Sequence, residues 1–334
     1  MTDQLLPGVT PGRCSINTRA VFKVRCREIL NGRYGVKIFR FIPGLLSILA
    51  LQACGGSGGE IESPEIINEF LTTAAVSGIE LNDDGSQPVV EGDWKRYSPD
   101  TTWTWQLNGE TRLDYDANVY VLDLFALTRN DDIARLHELG RDVICYFSAG
   151  TYEFWRPDSE LFSGVTLGNS HIGFADEKWL NFREPEVKKL MINRLNIAKA
   201  IGCDGVELDN VDAFVNDTGF DITLEEQKSF FKLLANEAHR RNLTVALKNN
   251  VEILSDLASY FDLVINEECF EYNECTGYLP VVESGKPLFN AEYTQIHVDD
   301  PEARQELCEQ SREMGFQTLI LPLELDGSFR FSCQ

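Results

Sequence analysis

The sequence is poor in metal-binding residues and in positive charge. Its 334 residues include only 4 His, and neither a CxxC pair nor an HExxH run occurs, so the usual zinc signatures are absent and neither metal nor cofactor is expected. Lys+Arg number 30 against 53 Asp+Glu, a net charge of −23. A field of that sign repels phosphate backbones and attracts cationic partners, which argues against nucleic acid. No repeat of fixed period is visible, which argues against a solenoid. What is there is globular: 43% hydrophobic and 25% charged residues rule out a disordered chain. The length suits either two domains or one α/β barrel of about 250 residues with an N-terminal extension.

The one long apolar run, Phe41 to Leu51, is too short to cross the ~30 Å of a bilayer core as a helix. Lys37 and Arg40 precede it and Leu51-Gln52-Ala53-Cys54 follows, a pattern that resembles a bacterial lipoprotein signal. On that reading residues 1–53 are a leader, with the true start near Val36. Cys54 carries the lipid that ties the chain to a membrane, and residues 54–100 are a tether and spacer opening on Gly55-Gly56-Ser57-Gly58-Gly59. The protein is then an exported lipoprotein of the cell envelope, expected as a monomer. The leader holds eight basic and two acidic residues, so the exported part is more acidic than the whole. Beyond Cys54 stand Cys145, Cys203, Cys269, Cys275, Cys308 and Cys333, an even set that suggests disulfides in an oxidising compartment. Cys269–Cys275 reads as a local clip and Cys308–Cys333 as a tie on the C-terminus. Cys145 and Cys203, beside apolar strand residues, read equally well as buried thiols.

Eight strand-like runs begin at Trp103, Val119, Val143, Gly205, Thr244, Leu263, Leu288 and Thr318. Helical patterns lie between most of them, at 131–139, 185–200, 224–241, 251–260 and 301–314. The order points to a single (β/α)8 TIM-type barrel over residues 101–334, although the first crossover is too short for a helix. In such barrels the chemistry sits at the C-terminal strand ends. Those ends read Asp123, Ser148, Asp209-Asn210, Lys248-Asn249-Asn250, Glu267-Glu268 and Glu292-Tyr293. Alternation turns Glu207 and Asp209 inward, with Tyr146 and Ser148, and Cys145 and Phe147 outward. It leaves Glu267 and Glu268 undecided. Five acidic strand ends facing one lysine call for an external cation, a shared proton or a substrate. Two such carboxylates across a gap are what glycoside cleavage needs. Trp103, Trp105, Tyr146, Tyr152, Trp155 and Tyr293 supply rings that stack on sugars or pack the core.

The segments TWTWQLNG (102–109), VYVLDLF (119–125), VICYFSAGTYEFWRPD (143–158), GCDGVELDNVDAF (202–214), ALKNN (246–250), INEECFEYNEC (265–275) and NAEY (290–293) resemble, in this order, glycoside hydrolase family 114, the endo-α-1,4-polygalactosaminidases. The resemblance implies a (β/α)8 barrel cleaving α-1,4-linked galactosamine polymers of microbial capsules and biofilms. It puts the catalytic carboxylates on Asp209, as nucleophile, and Glu267, as general acid/base. Leu208 stands where the family often has proline, and Ala213-Phe214 where glycine-tyrosine is frequent; neither removes a carboxylate. A cationic amino-sugar polysaccharide suits the acidic chain, with Asp123, Asp212 and Glu292 as binders of amino groups. Lys248 would orient a carboxylate or meet a sugar hydroxyl, and Tyr146, Ser148, Trp155, Asn210, Asn250 and Tyr293 complete the expected binding set. Three alternatives remain at this point: an amino-sugar-binding protein without cleavage, a glycosidase for another exopolysaccharide, and a metal-dependent hydrolase using Asp209, Asp212 and Glu267.

Overall fold

Short β-branched and aromatic runs make strands here, and the longer 3.6-periodic runs make the helices that cover them. The computed structural model describes residues 65–82, 85–127 and 131–334. Its strands are β1 Trp103–Gln106, β2 Val119–Asp123, β3 Asp142–Ser148, β4 Thr151–Glu153, β5 Leu167–His171, β6 Phe174–Leu180, β7 Gly205–Asp209, β8 Thr244–Lys248, β9 Leu263–Glu267, β10 Leu288–Glu292, β11 Gln317–Ile320 and β12 Phe331–Ser332. The larger sheet has the order β1-β2-β3-β7-β8-β9-β10-β11-β12, parallel through β11 and closed off by the antiparallel β12. Its eight parallel strands are the eight runs read from the sequence. Strands β4, β6 and β5 form a small antiparallel sheet inserted after β3, which the sequence did not announce.

The large sheet is curled. One apolar cluster on its concave side joins Trp103 and Trp105 of β1 to Ile144, Ile265, Phe289 and Leu319, so strands from both ends share it. Trp103 stacks on Phe289 at 4.8 Å, and its indole N–H donates to the Gln317 carbonyl at 2.7 Å. Side-chain contacts of this kind bring β1 to β11, an arrangement of the TIM-barrel type. A second cluster on the convex side holds Cys145, Phe147, Val206, Leu208, Val245, Leu247 and Val264 under the helices. The two clusters confirm the alternation: Tyr146, Glu207 and Asp209 belong to the inner face.

Helices at Asp132–Glu138, Pro185–Ile201, Leu224–Arg240 and Pro301–Met314 match expectation closely. The Leu224–Arg240 helix starts on a capping box: the Thr223 hydroxyl accepts from the Glu226 N–H and the Glu226 carboxylate accepts from the Thr223 N–H. The helix expected over 251–260 shrinks to a 3-10 turn, Val251–Ile253, and Leu254–Leu257. The chain leaves β8 through two left-handed residues, Asn249 and Asn250, at φ 49° and 62°, which delay the first helical turn.

Residues 65–100, expected as spacer, lie against the domain where they are described. Ile67, Val76 and Trp94 are buried, Trp94 stacks on His239 at 4.2 Å, and the Asn236 side chain joins the backbone at Gln87 and Val89. Apolar anchors spaced unevenly along a polar stretch show no period, which is why the packing was not foreseen. The leader 1–53 with its start near Val36, the lipidation site Cys54 and the glycine tether lie outside the described residues. Among the described residues no helix is long and apolar enough to cross a membrane. Cys269–Cys275 and Cys308–Cys333 are bonded as expected, and Cys145–Cys203 is a third disulfide, which settles their open reading against free thiols.

Candidate active site

At the ends of β7, β8 and β9 the chain turns through left-handed residues: Asn210 at φ 56°, Asn249 and Asn250, and Glu268 at φ 58°. Asparagine tolerates that region; glutamate does so at a cost, a strain common at functional sites. The turn resolves the choice between the adjacent acids. Glu267 ends the ladder of β9 on the inner face, while Glu268 belongs to the bend that follows. Next to β7, Gly150 lies so close to the Asn210 carbonyl that a Cβ would come within 1.7 Å of that oxygen. Only glycine fits there, and the Ala149 N–H then reaches the Asp209 carbonyl at 2.9 Å.

Asp209 and Glu267 are joined by Lys248 from the intervening β8. Its ammonium lies 3.1 Å from Asp209 Oδ1 and 2.9 Å from Glu267 Oε2, so those two oxygens are at most roughly 6 Å apart, the sum of the two distances. Each carboxylate has a tyrosine on its other oxygen: Tyr146 donates to Asp209 Oδ2 at 2.9 Å and Tyr293 to Glu267 Oε1 at 2.6 Å. Asn249 donates to Glu267 Oε2 at 3.3 Å and accepts from the Glu267 N–H at 2.9 Å. Burial works to raise Asp209, but the Lys248 ammonium and the donors around it outweigh that and hold it below the usual carboxylate range. Burial likewise opposes the charge on Lys248, and Asp209 and Glu267 lead the charges that raise it above an ordinary lysine. An ionised carboxylate therefore stands across the Lys248 ammonium from a second one.

The glycoside-hydrolase family GH114 model matches residues 85–334. The chain belongs to that family. It is a glycoside hydrolase. Among solved structures, Aspergillus fumigatus Ega3 in complex with galactosamine is similar at 35% identity and a TM-score of 0.66, over 72% of this chain and 100% of that one. The glycoside hydrolase domain of PelA from Pseudomonas aeruginosa is similar in fold, at 17% identity and a TM-score of 0.53, over 68% of this chain and 96% of that one. No curated protein matches the chain.

Within the GH114 domain, Asp209, Glu267, Lys248, Tyr146 and Tyr293 come together as expected. Asn210 and Ser148 stand just behind: the Asn210 amide donates to Ser148 Oγ at 2.9 Å and to Asp209 Oδ2 at 3.4 Å. Asp212 is half-buried beside them, raised to about 6 by burial and by Asp209. Other residues correct the sequence reading. Asp123 does not wait for an amino group: it pairs with Arg156 at 2.6 Å and accepts the N–H groups of Phe125 and Ala126. Glu292 faces the opposite side of the sheet from Phe289 and Ala291; fully buried there, it accepts from Phe270 N–H, and burial raises it to about 7. Asn250 donates to the backbone at Lys248 and Val211, so Asn249 is the amide that touches the acid. Trp155 is half-exposed, edge-on to Phe154 at 5.2 Å and with the Arg156 guanidinium 6.0 Å from its ring centroid. Trp103 and Trp105 are core.

The inserted sheet and its flanks add acids that were not singled out from the sequence. Arg156 binds Glu153 as well as Asp123, and Arg194 pairs with Asp158, all buried. Glu177 of β6 accepts from the Thr151 hydroxyl at 2.6 Å, and burial raises it to about 7. Among the described residues no group of three or more His, Cys, Asp or Glu is placed to hold an ion, and the Lys248 ammonium stands between Asp209 and Glu267.

Proposed function

We propose that this GH114 enzyme hydrolyses an α-1,4-linked, galactosamine-containing polysaccharide by a retaining, two-carboxylate mechanism. The observation that carries the reading is the single ammonium of Lys248 in contact with both Asp209 and Glu267. In the first step Glu267 gives its proton to the leaving glycosidic oxygen while Asp209 attacks the anomeric carbon and forms an ester. In the second, Glu267 takes a proton from water, which displaces Asp209. Retaining enzymes hold the two carboxyls ~5–5.5 Å apart and inverting ones ~6.5–9.5 Å; Lys248 keeps one oxygen of each within roughly 6 Å, the sum of its two contacts, which is compatible with retention.

The substrate class draws support from the galactosamine bound to Ega3 and from the net charge of −23, which attracts a polycation. With Asp123 and Glu292 otherwise engaged, Asp212 is the remaining expected carboxylate for an amino group beside Asp209. The lipoprotein-like signal, the anchor at Cys54 and three disulfides favour export to the cell envelope.

Asp209→Asn and Glu267→Gln test the reading, assayed for new reducing ends on defined galactosamine polymers. Each is expected to lose at least ~10²-fold in kcat with an unchanged melting temperature. Full activity in either variant contradicts its role. A wild-type protein that binds the polymer and releases no reducing ends would be a binding protein; cleavage confined to an uncharged glycan would move the substrate class.

A further inference from the structure

Two residues before Asp209, on the same inner face of β7, lies Glu207. It is fully buried, and the Trp105 indole is the one neutral donor beside its otherwise unpaired carboxyl oxygens among the described residues. Buried carboxyls so sparsely met are uncommon and work against stability, so one beside a reacting pair calls for a role. Lys248 Nζ stands 3.8 Å from Glu207 Oε1 and 4.9 Å from the centroid of the Trp105 ring. An ammonium has three N–H groups, and Asp209 and Glu267 take two of them.

We propose that Glu207 is a positioning residue, a neutral carboxylic acid whose oxygen attracts the third N–H of Lys248 and holds the ammonium between Asp209 and Glu267. The inference rests on the reading of those two as the catalytic pair. Burial raises Glu207 well above the usual carboxylate range, against the pull of Lys248, which favours the neutral acid. An ionised Glu207 would compete for Lys248; a neutral one leaves its charge to the catalytic acids. That charge is needed on both sides in turn. When the ester forms, Asp209 becomes neutral as its oxygen bonds the anomeric carbon, the bond to the leaving oxygen breaks, and Glu267 becomes the anion by giving that oxygen its proton. An ammonium fixed at the midpoint serves the anion before and after the step without reorganising. The titratable and charged groups around it are Asp209 and Glu207 of β7, Asp212 beyond it, Glu267 of β9, Tyr146 of β3 and Tyr293 after β10.

Glu207→Gln and Glu207→Met separate this role from packing, with kcat, KM, the pH profile and the melting temperature measured for each. The Gln variant keeps an acceptor oxygen; its kcat is expected within a few-fold of wild type and its acid limb in place. The Met variant is expected to lose about 10²-fold in kcat with KM nearly unchanged. Its acid limb moves to higher pH, because Asp209 loses part of the hold of Lys248, while its melting temperature stays equal or rises as the sparsely met carboxyl is gone. Wild-type kcat and acid limb in the Met variant overturn the proposal. A Gln variant as impaired as the Met variant overturns it too, since the charge of Glu207 would then be what matters. Failure of the catalytic reading shows separately, as full activity in Asp209→Asn.

Discussion

At the scale of single residues, the two carboxylates are held alike, each with Lys248 on one oxygen and a tyrosine hydroxyl on the other. Because the Tyr146 hydrogen bond helps keep Asp209 below its ordinary range, its loss must raise Asp209. Tyr146→Phe is therefore expected to move the acid limb of kcat/KM to higher pH and to lower kcat/KM by roughly 10-fold, as for one hydrogen bond to a charged group. A pH–rate profile checks it; an acid limb that does not move would separate Tyr146 from the ionisation that matters. The inward setting of Asp209 was legible because Val206 and Leu208 flank Glu207 in plain alternation. Glu292 was not, because β10 is buried on both faces and reads as Leu288-Phe289 followed by Asn290-Ala291, with no polar face to fix its phase. Asn249 was missed for another reason: once the backbone turns left-handed, the strand rule no longer says where a side chain points.

At the scale of elements, the eight parallel strands and the long helices were readable from period and punctuation, whereas the sheet of β4, β5 and β6 was not. Its strands carry exposed polar residues such as Asn169, Asp176 and Lys178 in place of apolar runs, and distant pairs hold the insertion: Arg194 with Asp158, and Thr151 with Glu177. Those pairs follow from the fold and leave no local pattern. The Cys145–Cys203 bond ties β3 to the approach to β7 across 58 residues that include this whole insertion, while Cys269–Cys275 spans only 6. Replacing Cys145 and Cys203 by alanine is expected to cost about 2–4 kcal/mol, and more than the same change at Cys269 and Cys275. Urea denaturation of the two variants checks the order; a larger loss from the short clip would contradict it.

At the scale of the whole molecule, a curled parallel sheet gathers β7, β8 and β9 so that three consecutive strand ends deliver an acid, an ammonium and a second acid to one rim. The net charge of −23 suits the cationic chain proposed as substrate, and membership in GH114 places glycosidic bonds as what is cut. The proposed reaction turns on double displacement at Asp209. Proton NMR of the first sugar released from a galactosamine oligomer, recorded before mutarotation, tests it most directly. The α anomer appearing first is the predicted result; the β anomer appearing first would mean that water attacks the sugar itself and that Asp209 forms no ester.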